Sequence, residues 1–324
     1  MRILFWGTPD FAVPALRAML GEGNDVVAVV TRPDKPRGRS RSTLEASPVK
    51  LAALEEGLPV LQPLRPRGEE FMREIAALEP DISVVVAYGH ILPKEVIDLP
   101  RLGTLNIHAS LLPALRGAAP IQTAILEGHR ETGVTIMQMV PALDAGDILH
   151  VLRVPIDSDT TFGELHDSLA ELGAIAIVQA LQLMEIGASH PIPQDESLAS
   201  YAHKITRDSA ALRLSQSAIV VQRAIRAFDP HPGAWVMHNG KALKLFGARV
   251  EGDGSDDALD DPTRSSPPGT IRSIGKNGML LRCGTGAVRV TEVQPSGKSR
   301  MSAQAWGQGR GAQMGDQLES PGEP

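Results

Sequence analysis

Two domains are predicted from the sequence: an α/β layer built on a parallel sheet and, behind it, a small β-barrel. Three observations carry this expectation. At 324 residues the chain exceeds the size at which one hydrophobic core usually stops growing. Its N-terminal part alternates short apolar, β-branched runs (3–6, 26–30 and 82–87) with longer amphipathic stretches. Continuous runs of this kind form strands buried on both faces of a parallel sheet, with helices covering each side. Its C-terminal part carries short strand-like runs separated by hairpin dipeptides, Asn239-Gly240 and Asn277-Gly278.

The first domain is therefore expected to be Rossmann-like and to span residues 1–187. Its last helix starts at Thr161, which has capping-box spacing to Glu164, and continues with Leu165, Leu169, Leu172 and Ala176 at three- and four-residue steps. Residues 188–207, polar and proline-bearing after Gly187, read as a linker. Residues 208–306 open with a helix bearing Val221, Ala224, Ile225 and Phe228 on one face, stopped at Asp229-Pro230, and then turn β-like. About five strands of this length fit an OB-like barrel. The acidic, Ser/Pro-rich stretch 251–268 reads as a loop within it, and the Gly- and Gln-rich tail 307–324 is expected to fray.

Composition narrows the class. Hydrophobic residues at 42% and charged residues at 22% are globular values. Cys283 is the only cysteine, which excludes an intramolecular disulfide or a cysteine-built zinc site and suits a reducing compartment. The apolar run at the N-terminus is too short for a signal core, so a cytoplasmic protein with no membrane partner is expected, as a monomer. The net charge of −6 argues against nucleic acid, yet residues 251–261 alone hold six acids and no Lys or Arg, which leaves the rest formally neutral. A local basic surface remains open. Arg32, Lys35, Arg37, Arg39 and Arg41 supply five cations around Asp34 in one Pro/Gly-rich loop. Such runs are commonly solvated surface, but after a strand at the ligand-binding end of a sheet they suit phosphates.

The chemistry-bearing residues lie at 106–113 and 143–147. If 105–108 is a strand, Asn106 and His108 leave the same face at its carboxyl end, where open α/β sheets bind ligands. An amide donor beside an imidazole can hold an oxyanion and move a proton, although the same spacing also suits a strand-end hydrogen-bonding pair. Asp144, in Leu143-Asp144-Ala145-Gly146-Asp147, can sit in a tight loop and orient His108, or simply make the turn.

Together these residues resemble the 10-formyltetrahydrofolate-dependent formyltransferases, with Asn-x-His and Ser-Leu-Leu-Pro followed downstream by an Asp in an Asp-x-Gly-Asp loop. The run Gly7-Thr8-Pro9-Asp10-Phe11, then Ala87-Tyr88-Gly89, Ile91-Leu92-Pro93, Arg116-Gly117-Ala118-Ala119-Pro120 and Gln294-Pro295-Ser296-Gly297-Lys298, is similar to the members that act on initiator methionyl-tRNA. The resemblance runs from about residue 2 to 304 and implies a set of roles. Asn106, His108 and Asp144 are the catalytic trio, with no metal. Tyr88, Gly89, Ile91, Leu92, Ser110, Leu111, Leu112, Pro113 and Leu143 shape the reduced-folate pocket, largely through backbone groups. Phe11 lies near the methionyl side chain, and Arg37, Arg39, Arg41 and Arg116 face the tRNA.

Trp6, where the family commonly has a small residue, and Ala114-Leu115 depart from the pattern and are expected to alter the pocket rim. Formyl transfer to another amine, such as glycinamide ribonucleotide or an amino-sugar nucleotide, is the nearest competing reading. A dinucleotide-dependent dehydrogenase is disfavoured because residues 7–11 lack G-x-G-x-x-G spacing. A non-catalytic RNA-binding protein is disfavoured by the intact trio.

Overall fold

The β-branched runs do become buried strands. The computed structural model of the chain describes residues 1–37, 43–251 and 266–322. In chain order the first elements are β1 (Arg2–Gly7), α1 (Val13–Gly21), β2 (Asp25–Val30), the paired short strands β3 (Lys35–Arg37) and β4 (Thr43–Glu45), α2 (Pro48–Glu55), β5 (Val60–Leu61), α3 (Glu69–Ala76) and β6 (Ile82–Val86). Then come α4 (Lys94–Ile97), β7 (Thr104–His108), β8 (Arg116–Gly117), α5 (Pro120–Glu127), β9 (Glu131–Gln138), β10 (Ile148–Pro155), α6 (Phe162–Glu185) and β11 (Tyr201–Ala202).

Among the described residues seven of these strands form one sheet in the order β10-β9-β7-β6-β1-β2-β5. The β5-β2-β1-β6-β7 part is parallel, as expected for a Rossmann-like layer. The edge is not: β9 runs antiparallel to β7, and β10 antiparallel to β9. Strand order reverses between β1 and its two neighbours, so the crevice above their carboxyl ends is the natural ligand position. Trp6 does not shape a rim. It is fully buried, donates from Nε1 to Ser83 Oγ at 3.2 Å, and meets Tyr88 and Phe71 edge-on in the core on one face of the sheet.

The capping box at the start of α6 forms reciprocally. The Thr161 amide and hydroxyl donate to Glu164 Oε2 at 2.8 and 2.7 Å, and the Glu164 amide donates back to Thr161 Oγ1 at 3.3 Å. This helix is 24 residues long and, by length and composition alone, apolar enough to cross a bilayer. Its stripe of Leu165, Leu169, Ala176, Ile177 and Leu181 is instead buried in the fold.

The second set of elements is α7 (Ala218–Ala227), β12 (Ala234–His238), β13 (Lys241–Glu251), β14 (Ile271–Gly275), β15 (Gly278–Arg282), β16 (Ala287–Pro295), β17 (Met301–Ser302) and α8 (Ala303–Gln308). They give an antiparallel sheet, β12-β13-β16-β15-β14, with β17 on β16. Asn239 (φ 48°) and Gly240 (φ 72°) both take the left-handed backbone that a two-residue hairpin between β12 and β13 demands. The α7 stripe of Val221, Ile225 and Phe228 packs with Leu243, Leu245 and Val290 in one core.

The tail expected to fray from Gly307 is folded. Ala312 and Leu318 are buried in that core, Gln317 pairs with Thr270 beside β14, and Glu319 pairs with Met237 of β12. The Gly/Gln composition hid this because one leucine and a few backbone hydrogen bonds suffice to link the two edge strands. Most of the acidic loop, 252–265, lies outside the described residues.

The division into compact units is not linear in sequence. One unit contains Met1–Pro120, Glu131–Pro155 and His166–Ala202; the other contains Ile121–Arg130, Ile156–Leu165 and His203–Pro324. Residues 188–202 of the expected linker are thus part of the first unit.

Candidate active site

β7 delivers Asn106 and His108 to the carboxyl edge of the sheet, registered against Met137 and Thr135 of β9. His108 is buried and its Nε2 lies 3.0 Å from the carbonyl oxygen of Leu115. A carbonyl only accepts, so Nε2 carries a hydrogen and donates it. The other ring nitrogen, Nδ1, faces Asp144 Oδ2 at 3.7 Å. Asn106 is half-buried, and its side-chain amide has no hydrogen-bond partner among the described residues. A buried-edge amide with free donors beside an imidazole is suited to an oxyanion.

Asp144 is held tightly. Its backbone is left-handed, φ 47°, and its Oδ2 accepts from the Gly117 amide at 2.8 Å. Gly146 follows because a Cβ at that position would stand 1.7 Å from the Gln138 carbonyl oxygen. On the other side, the turn at Ser110–Pro113 is pinned to β9: Thr135 Oγ1 donates to the Ser110 carbonyl at 2.7 Å and accepts from the Leu112 amide at 3.1 Å. Ser110 Oγ closes the turn onto the Ala114 carbonyl at 2.6 Å.

The residues expected around a folate pocket divide into three groups by burial. Ile91 is 92% exposed, Leu143 is 60% exposed and Gly89 is exposed, so all three face solvent near the ends of their loops. Leu111 and Pro113 are half-buried. Ser110 and Leu112 are buried, and the side chains of Tyr88 and Leu92 belong to the apolar core. The Tyr88 carbonyl accepts from Thr8 Oγ1 at 2.9 Å, tying the β1 and β6 loops together. Its hydroxyl is buried without a partner among the described residues, and burial pushes its pKa up to about 12.

Phe11 is buried in the turn after β1, its ring 5.2 Å from that of His166. Arg37 ends β3, while Arg39 and Arg41 lie outside the described residues. At the base of that loop, hydrogen bonds from Lys50 and then Gln62 hold the Asp34 carboxyl below its ordinary pKa.

Arg116 is a correction. The resemblance implies that it faces tRNA, but it is 2% exposed and most of its donors are used inside the fold. Nη1 and Nη2 fork onto Glu196 at 2.9 and 2.8 Å, and Nε and Nη2 donate to Gln194 Oε1 at 3.1 and 2.7 Å. The hydrogen bond from Arg116 holds the Glu196 carboxyl below its usual range. Buried, with four of its five N–H donors turned onto Gln194 and Glu196, the guanidinium is not presented to a phosphate. Gln194 and Glu196 were missed by sequence reasoning, since no local pattern links them to a loop 78 and 80 positions away.

The chain thus joins a mostly parallel α/β sheet, with Asn106 and His108 at the carboxyl end of one strand and Asp144 beside His108, to an antiparallel β unit, an arrangement that matches one enzyme family. Formyl transferase matches residues 1–181, and Formyl transferase, C-terminal domain, matches residues 204–311. The chain is 45% identical over 309 residues to the methionyl-tRNA formyltransferase of Moorella thermoacetica, covering 95% of this chain and 96% of that one. The chain belongs to the formyl transferase family.

Solved structures share the fold. HypX from Aquifex aeolicus in complex with tetrahydrofolic acid has a TM-score of 0.62 at 21% identity and covers 94% of this chain; the chain spans about half, 46%, of that protein's length. An N-formyltransferase from Helicobacter canadensis, in complex with folinic acid and dTDP-3-aminofucose, has a TM-score of 0.64 at 15% identity, covering 91% of this chain and 99% of that one.

Proposed function

We propose that this enzyme moves the formyl group of 10-formyltetrahydrofolate onto the α-amino group of initiator methionyl-tRNA, in the cytoplasm. The acceptor rests on the 45% identity, over nearly the full length of both chains, to a methionyl-tRNA formyltransferase. The observation that supports the chemistry is His108 facing the Asp144 carboxylate at 3.7 Å, with Asn106 two residues earlier on the same strand and its amide unpartnered among the described residues.

The formyl-folate supplies an activated one-carbon acyl group. As the amine adds to the formyl carbon, negative charge collects on the formyl oxygen, and Asn106 is placed to donate to it. Leu115 already holds His108 Nε2, so Nδ1 is the ring nitrogen left for the reaction; when protonated it gives a second donor to the oxyanion. A new C–N bond forms, the bond from folate N10 to the formyl carbon breaks, the amine loses one proton and N10 gains one. His108 Nδ1 and Asp144, at 3.7 Å, are close enough to relay that proton after a small tightening. No covalent enzyme intermediate is needed. The residues fit the substrate class: exposed Ile91 and Leu143 offer apolar surface to a ring system, and the Arg37, Arg39 and Arg41 loop offers cations to phosphates.

Incubation with 10-formyltetrahydrofolate and, separately, methionyl-tRNA, glycinamide ribonucleotide and a dTDP-amino sugar tests the reading. Formylmethionyl-tRNA is expected from the first alone. Formylation of either small amine at a higher kcat/KM would reject the acceptor, and no product with any of them would reject the reaction.

A further inference from the structure

Residues 192–202, in the stretch read from sequence as linker, are laid along the catalytic loops of their own unit. Ile192 and Ile148 exchange backbone hydrogen bonds of 2.8 and 2.9 Å. Ser200 Oγ accepts from the Leu115 amide at 2.9 Å, and the Ser200 carbonyl accepts from the Arg116 amide at 2.8 Å. Tyr201 and Ala202 of β11 then pair in parallel with Arg116 and Gly117 of β8. Leu115 is the residue whose carbonyl holds His108, so this strap already fixes one member of the trio from behind.

It fixes Asp144 more directly. Gln194 Nε2 donates to the carbonyl oxygens of Asp144 and Gly146, each at 2.8 Å. Its orientation is not free: a guanidinium only donates, so Arg116 forces Oε1 toward itself and turns the NH2 group onto the loop. Glu196, by clamping both terminal nitrogens of Arg116, fixes the guanidinium in turn. The loop needs such support. A non-glycine residue at φ 47° is in a sparsely populated region and stays there only when its surroundings over-determine it. Around Asp144 those surroundings are the Gly117 amide on the carboxylate and Gln194 on the backbone.

We infer that Gln194 is a positioning residue for formyl transfer: locked by Arg116 and Glu196, it holds the Asp144 loop so that the carboxylate stands against His108 Nδ1. The inference rests on the reading of Asn106, His108 and Asp144 as the transfer centre. It concerns geometry at the reacting edge, where a shift of about 1 Å costs on the order of 100-fold in rate.

Gln194→Glu is the sharpest test. The side chain keeps its shape and can still accept from Arg116, but the NH2 that faced two carbonyls becomes an oxygen and repels them. The expected result is a kcat for methionyl-tRNA formylation about 10- to 100-fold lower. The KM for the tRNA and the tetrahydrofolate-binding stoichiometry should stay within about twofold, the variation that a ~0.4 kcal/mol change in binding produces. A loss of folded enzyme would instead lower kcat and binding stoichiometry together.

Gln194→Ala, alone and combined with Asp144→Asn, guards against misfolding of the first variant. If Gln194 acts through Asp144, the double variant is no slower than Asp144→Asn alone. Multiplying losses, or a Gln194→Glu enzyme with turnover near wild type while Asp144→Asn is crippled, overturns the inference. An Asp144→Asn enzyme of normal turnover overturns the underlying reading of the site, and the inference with it.

Discussion

Replacing Arg116 by Ala separates a buried strut from a tRNA contact. The wild-type guanidinium makes four hydrogen bonds at 2.7–3.1 Å, two to Glu196 and two to Gln194. Glu196 is 68% exposed, so its two bonds are worth little more than a surface pair, about 0.5–1 kcal/mol, and water takes over when they are lost. Gln194 Oε1 is less fortunate: its donors vanish in a half-buried position, at about 1–2 kcal/mol. With the buried aliphatic stem removed as well, the first unit should lose roughly 2–3 kcal/mol. At a urea slope near 3 kcal/mol/M this lowers its unfolding midpoint by about 0.7–1 M.

Urea titration read by tryptophan fluorescence, paired with formylation kinetics between 50 and 200 mM salt, gives both observables. The structure predicts the stability loss and a lower kcat, with the salt slope of the tRNA KM unchanged. Loss of one phosphate contact would flatten that slope by about 0.7–0.9. A flattened slope at normal stability would refute the placement of Arg116.

Removing Arg37, Arg39 and Arg41 together should do the opposite, flattening the salt slope by up to about 2–3 with stability intact; an unchanged slope would count against the loop as a phosphate clamp. Leu318→Ala should destabilise the second unit by about 2–4 kcal/mol, since its side chain is 1% exposed in the core; a truly frayed tail would show no change in the melt. Thr161→Ala should cost about 1 kcal/mol at pH 7 through loss of the cap. Hydrogen bonds from the Thr161 amide, which the variant keeps, and then from the Thr161 hydroxyl, which it loses, hold the Glu164 carboxyl below its ordinary value of 4.5. A depressed carboxylate stabilises the fold above that pH and loses its contribution as pH falls, so the penalty measured near pH 3 should be smaller. An equal penalty at both would contradict the bond from the Thr161 hydroxyl to the Glu164 carboxylate.

What could be read in advance was what short-range pattern controls. The runs at 3–6, 26–30 and 82–87 announced β1, β2 and β6 because strands buried on both faces have no polar alternation to disguise them. Thr161 and Glu164 announced a helix start, and Asn239-Gly240 a hairpin, because both signals act within four residues. The strand-end placement of Asn106 and His108 followed from period-two geometry alone. The antiparallel edge β9-β10 was hidden because strand direction depends on the connection and not on the strand's own residues. Arg116 was misplaced because a charged residue states its sign but not its partner, and its partners lie some 80 positions away. Gln194 carried no signal: in a proline-bearing polar stretch nothing local distinguishes a strut from a spacer.

Whether formyl transfer takes place at Asn106, His108 and Asp144 is read in the single-turnover rate of formylmethionyl-tRNA formation by His108→Ala at saturating 10-formyltetrahydrofolate and methionyl-tRNA. That rate should fall at least about 100-fold, with tetrahydrofolate affinity within a few-fold of wild type. A transfer rate within a few-fold of wild type would place the chemistry elsewhere.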